Sequence, residues 1–140
     1  MRYVYPAVLT PAQEGGFLVA FPDVPEAITD GDTREEALLE AADALDCAMG
    51  FYVEAREPIP TPSAIAPGQE AVALPALTAA KLALYSAMRE QGVSNVALAE
   101  RLGVTETVVR RLVHPDHQSK IERVERALAQ LGKHLVVEAA

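Results

Sequence analysis

The apolar residues of this chain follow two periods, one typical of strands and one typical of helices. Near the N-terminus, runs rich in β-branched, aromatic and alternating apolar residues predict three strands, which cover residues 2–10, 16–21 and 27–30. The short loop at residues 11–16 predicts that the first two strands are antiparallel. Pro6 favours an edge position or a bulge for the first strand, because proline has no N–H to donate to a ladder.

The first helix has a well-defined start. Thr33 and Glu36 have the T-x-x-E spacing of a capping box, in which the threonine hydroxyl accepts the Glu36 N–H and the glutamate bonds back to the Thr33 N–H. Apolar residues then recur every three or four positions, which predicts a helix lying on the sheet. They are Leu38, Ala41, Ala42, Leu45, Ala48, Met49 and Tyr52. Cys47, the only cysteine, lies beside this stripe and is expected in or near the core.

The rest of the chain divides into a connector and a helical region. Residues 57–68 contain four prolines and predict an extended connector, after which residues 69–74 can supply a last strand. The helices predicted next cover residues 78–91, 95–102, 106–113 and 120–131. The expected fold class is therefore α+β. Its predicted parts are an α+β domain in residues 1–56, extending to about residue 75, a proline-rich connector with the last strand in residues 57–75, and a helical domain in residues 76–140.

Two of the predicted helices have the spacing of a helix-turn-helix. Gly103 suits a positive φ at the end of the helix over residues 95–102, while Ser94 and Thr105 can cap the two helices. In such a unit the second helix offers its first residues to the DNA major groove. The residues predicted to contact DNA are Ser94, Asn95, Thr105, Glu106, Thr107, Arg110, Arg111, Gln118, Ser119 and Lys120.

The chemistry of these residues suits both bases and phosphates. Arg110 or Arg111 can bond guanine N7 and O6 in a bidentate manner, or a phosphate, and Glu106 can accept from cytosine N4. Thr107 can contact a thymine methyl group or a phosphate. The residues at helix N-termini, 94–95 and 118–120, suit phosphate contacts. The alternative interpretation is that the two arginines only solvate a helix face.

Charge separates the two halves of the chain. Residues 1–75 contain three basic and thirteen acidic residues, whereas residues 76–140 contain nine basic and seven acidic ones, within a net charge of −8. The acidic half would repel DNA and therefore indicates a second, basic partner. The small positive charge of the other half favours a homodimer on a two-fold DNA site, and a tetramer is the next alternative.

Several segments resemble the HicB antitoxin family. The strand ends in Phe21-Pro22-Asp23, Pro25 follows, and Thr29-x-Gly31-Asp32-Thr33 and Glu35-Glu36-Ala37 complete the first motif. The Pro58-x-Pro60-x-Pro62-Ser63 stretch also matches, although Glu26 stands where many relatives have glycine. The second half is similar to the Xre/Cro-type helix-turn-helix found at the C-terminus of many HicB proteins.

The resemblance implies a fold and a function. HicB-like proteins pair a partial RNase H-like sheet, with one packed helix and no nuclease activity, with a DNA-binding helical domain. They bind HicA, a small basic toxin that cleaves mRNA, and repress the toxin–antitoxin operon by binding operator DNA. We accordingly expect a bacterial, cytoplasmic protein that is associated with the nucleoid when bound to its operator, is not an enzyme and needs no cofactor or metal. The candidate toxin-binding residues are Asp23, Glu26, Asp30, Asp32 and Glu35.

Other interpretations of the sequence lead to different functions. A helix-turn-helix regulator that senses a small ligand would have no toxin partner. A nuclease would use a cluster of carboxylates to hold a divalent metal, but the acidic residues of this region lie at turns without partner histidines. They are Asp23, Glu26, Asp30, Asp32, Glu35 and Glu36. His114 and His117, which flank Asp116, are expected to face solvent or the DNA backbone rather than a metal. Residues 135–137 can pair with a symmetry mate or fray. No membrane span and no signal peptide are expected.

Overall fold

The computed structural model describes all 140 residues and contains one four-stranded sheet and five helices. It confirms the α+β class, and every predicted strand and helix is present. In chain order, the elements are β1 Val4–Pro11, β2 Phe17–Ala20, β3 Ile28–Gly31, α1 Arg34–Glu54, β4 Glu70–Ala73, α2 Ala76–Gln91, α3 Asn95–Leu102, α4 Glu106–Val113 and α5 Ile121–Gln130. We call residues 1–75 the sheet half and residues 76–140 the helical half.

The strands follow the order β3-β2-β1-β4, and all neighbours are antiparallel. As a whole strand β1 lies inside the sheet and not at its edge, but its residues 4–7 pair only with β4, so at Pro6 the predicted edge environment is present. In the β1–β4 ladder, Pro6 stands opposite Ala71. The Leu74 N–H donates to the Tyr3 carbonyl, so these two residues form a hydrogen-bonded pair. Because hydrogen-bonded and non-hydrogen-bonded pairs alternate along an antiparallel ladder, the backbone N and O atoms of residue 6 point away from β4. The Pro6 nitrogen, which has no hydrogen to donate, therefore points to the side of β2. The pairing between β1 and β2 has already ended there, after Val8 and Ala20, so no ladder bond is lost.

Helix α1 covers one face of the sheet. Tyr5, Val19 and Val72 point to that face and are buried against α1 residues such as Leu45 and Met49. Cys47 lies on the opposite face of α1 and is exposed, so its predicted burial is wrong.

The start of α1 differs from the predicted capping box in one bond. The Thr33 hydroxyl accepts the Glu36 N–H at 3.1 Å, as predicted. The Glu36 carboxylate accepts the Asp32 N–H at 3.3 Å instead of the Thr33 N–H, because it reaches one residue further back. The two bonds of the cap therefore involve Thr33 and Asp32, the last two residues before the helix.

The helical half is built around α2. Half of the α2 residues are buried, and α4 and α5 pack against α2 while α3 packs against both of them. Gly103 joins α3 to α4 with φ 67°, and the Ser94 and Thr105 hydroxyls accept the N–H groups of Ala97 and Val108. Residues 133–140 form no strand, and Val136 is 85% exposed.

The two halves pack against each other through the second half of α1. The Thr78 hydroxyl donates to the Asp46 carboxylate at 2.6 Å, and the Tyr85 hydroxyl donates to the Glu57 carbonyl at 2.8 Å. Gly50 lets the loop after α4 come close, since a Cβ at this position would stand 3.3 Å from a carboxylate oxygen of that loop. None of the helices is both long enough and apolar enough to span a membrane.

Candidate functional site

Two grooves flank α4. The first, which we call the junction groove, has a volume of about 620 Å³ and lies between α4, the start of α3 and the ends of α1 and α2. The second, the distal groove, has a volume of about 350 Å³ and lies between α4 and the start of α5. Arg110 faces the junction groove and Arg111 faces the distal groove, because adjacent residues on a helix point in different directions.

The grooves bring together eight of the ten residues predicted to contact DNA. Ser94, Asn95, Glu106 and Arg110 line the junction groove, whereas Arg111, Gln118, Ser119 and Lys120 line the distal groove. The other two, Thr105 and Thr107, lie at the start of α4 and are both exposed. Arg123 also lines the distal groove and was missed. Its position one turn after Lys120 is the signal that could have identified it.

The side chains of α4 partly hold one another. An Arg110 guanidinium nitrogen lies 3.4 Å from a Glu106 carboxylate oxygen, and the same nitrogen donates to the Thr107 hydroxyl at 3.3 Å. Arg111 forms no ion pair and is exposed. Arg110 is thus oriented by its own helix, while Glu106 has a partner that competes with any base contact.

A buried lysine fixes the end of α4, and sequence reasoning missed it. Lys81 of α2 is fully buried. Its Nζ lies 2.8 Å from the Arg111 carbonyl, 2.9 Å from the His114 carbonyl and 2.5 Å from the His117 carbonyl. The Ser119 hydroxyl oxygen lies 2.9 Å from Nζ as a fourth acceptor, so the three N–H groups of the ammonium are shared among four oxygens. Burial lowers the pKa of Lys81 to about 8, and the nearby carboxylate of the α4–α5 loop partly opposes this.

This lysine joins α2 to the segment that carries three predicted DNA contacts, residues 118–120. Three of its acceptors are carbonyls at or after the C-terminus of α4, where a positive charge is favourable. Ser119 accepts from Lys81, so its own O–H remains free to donate. The only sequence signal was a lysine within the apolar run of α2.

His114 points inward instead of facing solvent as one of the two predictions had it, and it lines the junction groove. Its side chain is 17% exposed, and Nε2 lies 2.9 Å from a Glu54 oxygen. Nδ1 accepts the Asp116 N–H at 3.1 Å, which places the ring proton on Nε2. Ligand atoms of Glu54, His114 and Asp116 lie within 4.8 Å of one another, as a metal site would require. Both ring nitrogens already have protein partners, however, so the group acts as a link between the two halves.

The five predicted toxin-binding acids fall into two groups. Asp23 accepts the Ser63 N–H at 2.8 Å and the Ser63 hydroxyl at 2.7 Å, which fastens the connector to the loop after β2. Glu26 accepts the Tyr52 hydroxyl at 2.5 Å, and burial together with this bond raises the pKa of Tyr52 to about 12. The three remaining acids are exposed and their carboxylates have no intramolecular partner. These are Asp30, Asp32 and Glu35.

The fold and these surfaces define a two-part protein with an acidic sheet half and a helical half whose basic residues cluster around α4. A family model described as a HicB-like antitoxin of a bacterial toxin–antitoxin system matches residues 4–83. The chain is 48% identical over 126 residues to antitoxin HicB 2 of Photorhabdus laumondii, covering 90% of this chain and 89% of the relative. It is 40% identical over 131 residues to antitoxin HicB of Escherichia coli K12, covering 94% and 95%.

A third relative extends the same result. The chain is 48% identical over 131 residues to antitoxin HicB of Pseudomonas fluorescens, covering 91% of this chain and 90% of the relative. The similarity therefore spans both halves of the molecule. The chain belongs to the HicB-like antitoxin family of bacterial toxin–antitoxin systems.

Proposed function

We propose that this protein neutralises a HicA-like toxin through its sheet half and represses its own operon by binding operator DNA through its helical half. The observation that carries the proposal is the collection of basic and polar residues in two grooves along α4, opposite in charge to the free acids of the sheet half. Family membership supports the toxin partner. The relatives found are antitoxins, which does not favour a ligand-sensing regulator without a toxin.

The toxin would be held by binding and not by chemistry. A HicA-like toxin is a small basic ribonuclease, so the exposed acids Asp30, Asp32 and Glu35 would steer it and compete with its RNA. Asp23 and Glu26 would act indirectly, because they fix the surrounding loops through Ser63 and Tyr52. The partial RNase H-like character of this half, and its extent to about residue 75, remain predictions of the resemblance.

The DNA-binding half would work as a helix-turn-helix. With α4 in the major groove, Arg110 and Arg111 would reach bases or phosphates on either side of the helix. Ser94 and Asn95 would contact the backbone at one end, and residues 118–120 with Arg123 would do so at the other. A homodimer would place two copies of α4 on a two-fold operator.

The experiment separates the two activities in the full chain. The double substitution Arg110→Ala and Arg111→Ala removes the two cations of α4, and we expect operator binding to be lost. Toxin neutralisation should be retained, because neither arginine lies in the sheet half. Operator binding is measured by mobility shift on the DNA upstream of the reading frame, and neutralisation by growth when a HicA-like toxin is co-expressed.

A matched control removes the same charge elsewhere in the helical half. Arg101→Ala with Arg126→Ala changes two exposed arginines that line neither groove, and both activities should persist. Loss of both activities in a folded Arg110/Arg111 variant would mean that the proposed division of labour is wrong.

A further inference from the structure

One arginine of the acidic half stands apart from the other two. Arg2 pairs with Glu138 at 3.3 Å, and Arg34 bonds to Glu70. Arg56 has no acidic partner and is one of the residues that line the junction groove. An unpaired cation in a half with thirteen acidic residues is therefore placed where the predicted DNA contacts of α3 and α4 begin.

The backbone of Arg56 is unusual as well. Its φ is 57°, and it is the only residue other than glycine with a positive φ. The Arg56 and Glu57 N–H groups bond to the carbonyls of Val53 and Tyr52 at 3.1 and 2.9 Å, which closes the end of α1 with a Schellman-type turn. Glycine is the usual residue here, because the left-handed conformation costs other residues about 1 kcal/mol. An arginine at this position carries a backbone cost that glycine would avoid, which makes its side chain a candidate for function.

A second arginine is fixed to the same turn. The Arg89 guanidinium donates to the Arg56 carbonyl at 2.6 Å and lies 5.7 Å from the centroid of the Tyr85 ring. The Tyr85 hydroxyl in turn donates to the Glu57 carbonyl at 2.8 Å. Arg89 also lines the junction groove, and its bond to Arg56 leaves most of its five N–H donors for a ligand.

The charge balance of the junction groove is positive. Its two carboxylates already have partners, since Glu54 contacts His114 and Glu106 contacts Arg110. Arg56 and Arg89 face the groove without a carboxylate partner. The remaining polar lining is Ser94 and Asn95 at the N-terminus of α3, where backbone N–H groups also favour an anion.

We infer that the junction groove holds the DNA backbone next to the bases contacted by α4, and that Arg56 and Arg89 bind its phosphates. The inference rests on the proposed operator binding and extends it. The groove is also lined by Ser94, Asn95 and Arg110, which the helix-turn-helix pattern predicts to contact DNA. The acidic sheet half therefore takes part in DNA binding itself, through the turn that follows α1.

Arg56→Gly is the sharpest test, because glycine suits the left-handed backbone and keeps the turn intact. We expect unchanged or higher thermal stability and unchanged toxin binding. Affinity for a duplex from upstream of the reading frame should fall roughly five- to tenfold, and the slope of log affinity against log salt should shrink by about one per protomer. Affinity for a scrambled duplex of equal length should fall by the same factor, since phosphates carry no sequence information.

Arg2→Gly is the matched control, because it removes the same charge from the sheet half away from the groove; it should leave DNA affinity unchanged. Arg89→Gln serves as a second variant: its amide can still donate to the Arg56 carbonyl, and DNA affinity should again fall.

If the unmodified chain does not bind the upstream duplex, the proposed repressor function is wrong. If it binds and Arg56→Gly binds equally well, the inference alone is wrong. Weakened toxin binding with unchanged DNA binding would assign the groove to the protein partner and overturn the inference.

Discussion

At the scale of single residues, two aspartates of the sheet half have different roles. Asp23 lies in the loop after β2 and accepts two hydrogen bonds from Ser63, whereas the Asp32 carboxylate is exposed and has no partner. Their sequence contexts are similar, since both lie in turns of the acidic segment between β2 and α1. Because Ser63 is forty residues away from Asp23, no local pattern could have separated the structural acid from the free one.

This difference predicts opposite phenotypes. Asp23→Ala should lower the free energy of unfolding by about 1–2 kcal/mol, because the connector loses two charge-assisted hydrogen bonds. Asp32→Ala should change stability by less than about 0.5 kcal/mol but slow association with the toxin at low salt. Urea unfolding and stopped-flow binding measure the two effects. Equal destabilisation by both substitutions would contradict the assignment.

At the scale of the elements, local signals were sufficient for nearly all boundaries. The Thr33, Ser94 and Thr105 caps, the positive φ of Gly103 and the prolines of the connector act within a few residues, so their effects could be predicted. The order of the strands could not, because it depends on β4 returning to pair with β1 after the whole of α1. That return is what pairs Pro6 with Ala71 of β4.

The position of α4 relative to α2 depends on Lys81. Replacing it with methionine keeps much of the length of the side chain but leaves three carbonyls and the Ser119 oxygen without their buried donor. We expect Lys81→Met to lower the free energy of unfolding at pH 7 by at least about 2 kcal/mol and to weaken operator binding. Lys133→Met, at an exposed position, is the matched control and should do neither.

The pH dependence of stability provides a separate test of this lysine. Burial lowers its pKa to about 8 in the folded protein, from an ordinary value of 10.5 that the solvated side chain has in the unfolded chain. The native state therefore loses this proton first, and between these two pH values the unfolded chain binds more protons. The contribution of Lys81 to stability must rise with pH across this window. The gap in unfolding free energy between the wild type and Lys81→Met should widen from about pH 7 to about pH 10, and a narrowing gap would contradict this. Tyrosine ionisation cancels, since both proteins carry the same four tyrosines.

At the scale of the whole molecule, the two halves are joined by contacts that link distant parts of the sequence. His114 meets Glu54 across sixty residues, and Tyr85 meets Glu57 across twenty-eight. The charge pattern distinguishes an acidic half from a weakly basic one, but no local signal shows how α1 docks against α2. The junction groove, with Arg56 and Arg89 in its wall, exists only because of that docking. For this reason the residues around α4 could be predicted, whereas Arg56 and Arg89 could not.

The charge of the whole chain leads to the last prediction. With a net charge of −8, one protomer has too little positive potential to hold DNA alone, so repression should require two copies on a two-fold operator. If the pair makes about six phosphate contacts, affinity should fall about a thousandfold between about 50 and 200 mM salt. Titration of the upstream duplex followed by native mass spectrometry should show two chains, and not one, on each operator. A duplex with a single half-site should bind far more weakly. Tight binding of one chain to such a half-site would contradict the required dimer, and little dependence on salt would contradict phosphate contacts by the basic grooves of α4.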